Sequence, residues 1–254
     1  IVLLPTGAGK SLCFQLPALQ LPGLTVVVVP LRSLLHDQLR ACRAGGLPAA
    51  ALAGGQSLQQ RREVLEALRS GAVHLVYTTP EALLQGGCAA LLRGPPIAHW
   101  VVDEAHCVAE WGPRFRPAYL RLGVLAGELQ ARCRSAFTAT AGPAALAAIR
   151  ETLFPGLPAR LVAGDPDRPN LRYRVVPTLA RMRELERLVS GSPRPLLCFC
   201  RSRFSAESAA RQLARRLPEL PLRFYHAGLE GSERATVERW FLGSTDGVLI
   251  ATSA

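Results

Sequence analysis

Short apolar runs alternate with amphipathic stretches along the chain. Runs rich in valine, leucine and alanine occur at Ile1–Leu4, Thr25–Val29, Ala49–Leu52, Val73–Tyr77, Ala98–Val102 and Ser135–Thr138. Apolar character that is continuous rather than alternating predicts strands buried on both faces, as in a parallel sheet covered by helices. Between these runs, helical spacing predicts helices over Leu31–Cys42, Leu58–Arg69, Leu120–Arg132 and Ala144–Leu153. Repeated strand–helix–strand units of this kind describe an α/β protein. The pattern pauses over Phe154–Asn170, where Pro155, Pro158, Pro166, Pro169, Gly156 and Gly164 read as a connector. It resumes with Leu171–Val176, helix Leu179–Val189, strand Pro195–Cys200, helix Ser205–Arg216, strand Leu222–Tyr225, helix Ser232–Phe241 and strand Gly247–Ala251. Two α/β domains are therefore predicted, residues 1–160 and 171–254, joined by a linker over 161–170. The second is too short for a complete sheet of this type.

Composition narrows the class. Hydrophobic residues make up 49% of the chain and charged residues 19%, which excludes a disordered polyelectrolyte. No apolar run reaches the ~18–20 residues of a membrane span, so no membrane partner is expected. The apolar start lacks a basic leader and a small-residue cleavage site, and is not read as a signal peptide. Seven cysteines are scattered without a C-x-x-C pair. That argues against a zinc knuckle in this stretch and for reduced thiols inside a cell, with a cytoplasmic location expected, at the nucleoid in a bacterium or in the nucleus of a eukaryote. Cys198 and Cys200, two apart on one strand face, read as buried apolar thiols. The formal charge is +11 and is shared by both domains, which suits a polyanion lying across them. The chain starts at Ile1 and its single Met is Met182, as expected of an internal piece of a longer protein. Of its 30 basic residues only Lys10 is a lysine, a bias that points to a GC-rich genome, and that lysine stands in a glycine-rich loop.

The loop is Leu4-Pro5-Thr6-Gly7-Ala8-Gly9-Lys10-Ser11, which follows an apolar run and opens a helical pattern. Small residues there let backbone N–H groups curl around phosphates, and the helix N-terminus adds its dipole. The Lys10 ammonium would neutralise phosphate oxygens and the Ser11 hydroxyl would coordinate Mg²⁺. Leu4 stands where the general pattern has glycine. Such a loop needs a carboxylate at the end of another strand, and Ala98–Val102 runs into Asp103-Glu104 at what would be the carboxyl edge of the sheet. Asp103 would hold the metal, and Glu104 would orient or deprotonate water. Together these features predict an NTPase using ATP and Mg²⁺.

The stretch DEAHCVAEWGPRFRPAY (103–119) closely resembles the signature of RecQ-family DNA helicases. Further resemblances follow in order: PTGAGKSLCFQLPA (5–18), PLRSLLHDQ (30–38), TTPEALL (78–84), FTATA (137–141), DRPNLRYRV (167–175), LLCFCRSR (196–203), YHAGL (225–229) and VLIATSA (248–254). The resemblance spans essentially the whole chain. It implies two RecA-like P-loop NTPase domains with parallel sheets, the second truncated, and ATP-driven 3′ to 5′ movement on single-stranded DNA with unwinding of forked or duplex DNA in repair and recombination. It implies nucleotide binding by Pro5, Thr6, Gly7, Ala8, Gly9, Lys10 and Ser11, and hydrolysis by Lys10, Asp103, Glu104 and His106, with Ser11 and Asp103 on the metal. Thr138 and Thr140 would link this site to the cleft between domains. Trp111, Phe115, Arg116 and Tyr119 would form a loop that senses single-stranded DNA, with Arg201 as a further DNA contact and His226, at a strand end, contacting DNA or the domain interface or simply ending the strand as a polar residue. Aromatics in such a loop stack on bases for ~1–3 kcal/mol each without sequence preference.

The loop departs from the family at Ala109-Glu110, where Ser-Gln is usual, and at Pro113-Arg114, where His-Asp is usual. The family's adenine-reading glutamine, its arginine-bearing motif VI and its zinc-binding and winged-helix modules fall outside residues 1–254, so this piece alone is expected to turn ATP over slowly. Competing readings are a superfamily 2 RNA helicase, a nucleotide-gated clamp or scaffold, and a small-molecule P-loop kinase. The DEAH box and the WGPRFRPAY segment favour DNA, and a kinase leaves the second domain without a purpose.

Overall fold

The valine-rich runs form the centre of a seven-stranded parallel sheet. The computed structural model describes residues 1–84, 87–111, 117–165, 167 and 169–252, apart from the side chains of Glu110 and Trp111. The first compact unit covers Ile1–Pro169. In chain order it contains β1 (Val2–Leu3), α1 (Leu12–Ala18), β2 (Leu24–Val28), α2 (Arg32–Ala44), β3 (Ala49–Leu52), α3 (Leu58–Arg69), β4 (Leu75–Thr78), α4 (Pro80–Leu84), α5 (Cys88–Leu91) and β5 (Ile97–Val102). There follow α6 (Cys107–Trp111), a 3₁₀ turn (Pro117–Arg121), α7 (Leu122–Glu128), β6 (Cys133–Thr138), α8 (Pro143–Leu153) and β7 (Val162–Ala163). The strand order is β3-β4-β2-β5-β6-β1-β7.

Because successive side chains point to opposite faces, each central strand feeds two cores. Val26, Val28, Val76, Trp100 and Val102 pack on one side. Val27, Val29, Tyr77, Val101 and Phe137 pack on the other, with Phe14 of α1 and Leu35 and Leu39 of α2. This two-sided burial explains why these strands read as unbroken apolar runs. Helix α3 starts where Ser57 accepts from the Gln60 N–H while the Gln60 side chain returns a bond to the Ser57 N–H, a reciprocal cap that offsets two orphan donors.

The second compact unit, Asn170–Ala254, holds α9 (Arg181–Gly191), β8 (Leu196–Cys200), α10 (Arg203–Arg216), β9 (Leu222–Tyr225), α11 (Gly231–Gly243) and β10 (Val248–Thr252). Its sheet is parallel and three-stranded, in the order β8-β10-β9. One face packs Val248, Ile250, Leu196 and Cys198 against Ala206, Ala210 and Leu213 of α10. Cys198 and Cys200 share that inner face, and burial pushes both thiols up in pKa.

Several expectations need correction. Leu171–Val176 belongs to no strand, and Tyr173 and Val175 lie in solvent at 88% and 93% exposure; a segment without a strand to pair with is not a β-strand. Conversely, Val162–Ala163, placed in the linker, pairs with β1 and closes the edge of the first sheet. The helix expected over Leu120–Arg132 is a 3₁₀ turn followed by α7, and it stops before Gln130, whose φ of 53° no helix accepts. Helices α4, α5 and α6, each five residues or fewer, were not predicted, because so few residues show no helical period. Among the described residues no helix is long and apolar enough to cross a membrane.

Candidate active site

The loop after β1 enters helix α1 through Ser11. Gly7 and Gly9 hold φ of 84° and 80°, a region costly for residues with a Cβ. Space does not demand glycine at either position, because a Cβ on Gly7 would meet nothing within 4 Å and one on Gly9 only the Leu12 side chain at 3.7 Å. The conformation demands it. The loop is braced by the Ala8 N–H donating to Pro5 O at 3.1 Å and the Leu12 N–H donating to Gly9 O at 2.9 Å. Among the described residues, the N–H groups of Gly7, Gly9, Lys10 and Ser11 donate to no protein acceptor. Lys10 Nζ donates to Leu4 O at 3.3 Å and Pro5 O at 3.4 Å, which keeps its charge at the loop mouth. Pro5 and Thr6 carry the turn into the glycines.

The loops after β5 and β6 reach the same carboxyl edge, since β1 pairs with β6 and β6 with β5. The Leu4 N–H donates to Thr138 O at 3.1 Å, and the Ala105 N–H to Phe137 O at 2.8 Å. Asp103 is 5% exposed and its backbone N–H donates to Val28 O at 2.9 Å. Burial pushes its carboxyl up to about 6, and the nearby Glu104 charge adds to this. The Glu104 N–H, which donates to Asp103 Oδ1 at 2.9 Å, and the charges of Lys10 and His106 pull it down. The influence of Lys10 on Asp103 means that the phosphate loop and the strand-end acid share one electrostatic site.

Glu104 takes a left-handed φ of 48°, a strained conformation for glutamate. Its Oε2 lies 3.3 Å from His106 Nδ1, and the same nitrogen lies 3.0 Å from Thr138 Oγ1. Thr138 Oγ1 donates to Thr140 O at 3.0 Å and accepts from the Thr140 N–H at 3.3 Å. With its one proton committed to Thr140 O, the hydroxyl can only accept from His106, so Nδ1 carries the proton. Glu104, His106, Thr138 and Thr140 thus form one cluster spanning the β5 and β6 loops.

The sequence reading did not assign a role to the side chains behind the loop. Gln38 Nε2 of α2 donates to Ser11 Oγ at 3.2 Å, and Gln15 Nε2 of α1 donates to Tyr77 Oη at 2.9 Å. The PLRSLLHDQ resemblance contained Gln38, but nothing in one sequence indicates which distant hydroxyl it meets.

Other expected contacts lie elsewhere. Phe115 and Arg116, together with Pro113-Arg114, lie outside the described residues, as do the side chains of Trp111 and Glu110; Ala109 and the Trp111 backbone belong to α6. Tyr119 was expected to face DNA. It has no exposed surface and packs in the core with Leu122 and Leu125, so its ring supports the fold and offers no face to a base. His226 is 4% exposed, with Nδ1 accepting from the Gly228 N–H at 3.2 Å and Nε2 3.0 Å from Glu207 Oε1. Its nitrogens are committed inside the second unit, and a DNA contact through them is not available. Arg201 is exposed just after β8.

The residues present fit a nucleotide and its metal. A ring of unpaired N–H groups and an ammonium suit a polyphosphate, and the Ser11 hydroxyl with the Asp103 carboxylate offers hard oxygen donors that suit Mg²⁺. Comparison with known proteins agrees with that fit. The DEAD/DEAH box helicase pattern matches residues 1–149. The chain is 37% identical over 255 residues to the ATP-dependent DNA helicase RecQ of Pasteurella multocida, covering 100% of this chain and 40% of that protein. It is 38% identical over 263 residues to the RecQ of Synechocystis, covering 98% of this chain and 54% of that protein. The chain thus spans about half or less of the length of these relatives. Among solved structures, the DUF1998 helicase MrfA bound to DNA superposes with a TM-score of 0.69 at 20% identity, over 100% of this chain and 37% of MrfA. At that identity the match speaks for the fold alone.

Proposed function

Because the chain belongs to the DEAD/DEAH box helicase family, we propose that it forms the ATP-hydrolysing core of a RecQ-type DNA helicase, moving 3′ to 5′ on single-stranded DNA and opening forked or duplex DNA in repair and recombination. The observation that carries this reading is similarity to RecQ helicases over the entire chain rather than over the nucleotide site alone. Lys10 and the open loop N–H groups hold the phosphates. Ser11 and Asp103 are the oxygen donors for Mg²⁺, which when bound neutralises charge on the phosphate oxygens. Glu104 orients or deprotonates the attacking water, and His106, hydrogen-bonded to Thr138 with the Glu104 carboxylate 3.3 Å from the same nitrogen, links that carboxylate to the β6 loop. Trp111, Phe115 and Arg116 are the proposed DNA-sensing residues, joined by Arg201 in the second unit. A cytoplasmic location with the chromosome, or a nuclear one in a eukaryote, follows from that substrate.

The test is ATP turnover by the full-length protein containing this chain, measured without nucleic acid, with single-stranded DNA and with RNA. Stimulation by DNA well above that by RNA is expected. Equal or greater stimulation by RNA would move the protein to the RNA helicases, and no turnover under any condition would leave a nucleotide-gated clamp.

A further inference from the structure

A line of polar side chains behind the phosphate loop has no part in the roles proposed above. Ser11 Oγ accepts from Gln38 Nε2 at 3.2 Å. Gln38 Oε1 accepts from Gln15 Nε2 at 3.3 Å, and the same Gln15 nitrogen donates to the Tyr77 phenol oxygen at 2.9 Å. The phenol lies 3.6 Å from Cys42 Sγ. Tyr77 has no exposed surface and Cys42 only 3%, so this end of the line is anchored in the core between β4 and α2. Burial also pushes the phenol up in pKa, so it remains an uncharged hydroxyl.

Each link constrains the next. A carboxamide donates at its nitrogen and accepts at its oxygen. Gln15 presents its nitrogen to the phenol, and so presents the same nitrogen to Gln38. Gln38 turns its oxygen toward Gln15 and its nitrogen toward Ser11. A serine hydroxyl has one proton and two lone pairs. With one lone pair engaged by Gln38, the proton is directed away from α2 and a single lone pair is left for a cation.

We propose that Gln38 is a positioning residue for the metal site: its amide, oriented from Tyr77 through Gln15, holds the Ser11 hydroxyl as an acceptor with one lone pair free for Mg²⁺. This rests on the reading that the loop binds a magnesium nucleotide. The three anchoring groups come from α1, α2 and β4, so their packing sets the Ser11 geometry before any ligand arrives.

The test is binding of a fluorescent ADP analogue to the full-length protein containing this chain, titrated with Mg²⁺ and repeated in EDTA. Gln38→Met, close in shape but unable to donate, is expected to raise the Mg²⁺ needed for half-maximal binding about threefold to tenfold, the effect of one hydrogen bond. Affinity in EDTA should stay within about twofold of the unaltered chain, well inside the effect of one hydrogen bond. Tyr77→Phe contacts neither Ser11 nor Gln38 and is expected to give a smaller shift in the same direction. Unchanged Mg²⁺ dependence in Gln38→Met overturns the proposal. Equal loss of affinity with and without Mg²⁺ also overturns it, because that marks a misshapen loop. A shift in Gln38→Met with none in Tyr77→Phe overturns the relay. If the unaltered full-length protein binds no nucleotide, the nucleotide reading itself fails and takes this proposal with it.

Discussion

Asp103 sits at 5% exposure beside Glu104, with only partial compensation from Lys10 and His106. Its carboxyl is raised from 3.8 to about 6, burial being the main cause. A raised acid holds its proton more tightly in the folded state, so the folded state is favoured at low pH and loses that advantage as pH rises through about 6. Asp103→Asn removes the buried charge and keeps the shape. It is expected to stabilise the protein by about 1–3 kcal/mol at about pH 8, with most of the gain gone by about pH 4. Thermal melting at both pH values checks this, and a gain independent of pH would refute it. Cation binding by this carboxylate should weaken in the wild type as pH falls through the same range. Burial deep enough to raise an acid is characteristic of functional sites.

At the scale of elements, the site exists because three strand ends meet at one edge. Leu3 of β1 lies beside Thr138 of β6, and β6 lies beside β5. Thr138 fastens them, since its hydroxyl meets His106 from the β5 loop and both backbone groups of Thr140. Thr138→Val has the same shape and lacks that hydroxyl. It takes the acceptor from the exposed Thr140 N–H and leaves the His106 Nδ1–H with the Glu104 carboxylate alone, for an expected loss of about 1 kcal/mol in urea unfolding. In the full-length protein, stimulation of ATP turnover by single-stranded DNA should fall by more than turnover without DNA does, since the hydroxyl ties His106 to the β6 loop. Unaltered stimulation would remove the cluster from the coupling pathway. The core strands were legible in the sequence because they are buried on both faces and read as unbroken apolar runs. The short α4, α5 and α6 were not, because five residues or fewer establish no period.

Across the whole molecule, the two compact units meet in sequence at Pro169 and Asn170. The segment after that junction belongs to no helix or strand and is exposed, with Tyr173 at 88% and Val175 at 93%, and Arg172 and Arg174 stand in it. Trypsin is expected to cut there first, releasing the first unit with its nucleotide binding intact, because Lys10, Ser11, Gln38 and Asp103 all precede the cut. Gel analysis of a time course together with nucleotide binding by the products checks this. First cleavage within α10, or loss of binding on cutting, would count against two independently folded units. Leu171–Val176 was read as a strand, but a local pattern cannot supply the neighbouring strand that pairing needs.

Local patterning alone determined the α/β class and the bounds of Ala49–Leu52, Leu58–Arg69 and Leu222–Tyr225. It also placed the glycine-rich loop between a strand and a helix. Those properties follow from residues close in sequence, whose apolar spacing and caps decide secondary structure without distant partners. Strand order, the addition of Val162–Ala163 to the first sheet, the burial of Tyr119 and His226, the proton affinity of Asp103 and the line from Tyr77 to Ser11 were decided only by the tertiary structure. Each depends on groups tens of residues apart, Gln38 from Ser11 and Thr138 from His106 among them. Pairing, burial and local dielectric are set by which side chains are packed together, and a linear pattern does not contain that information.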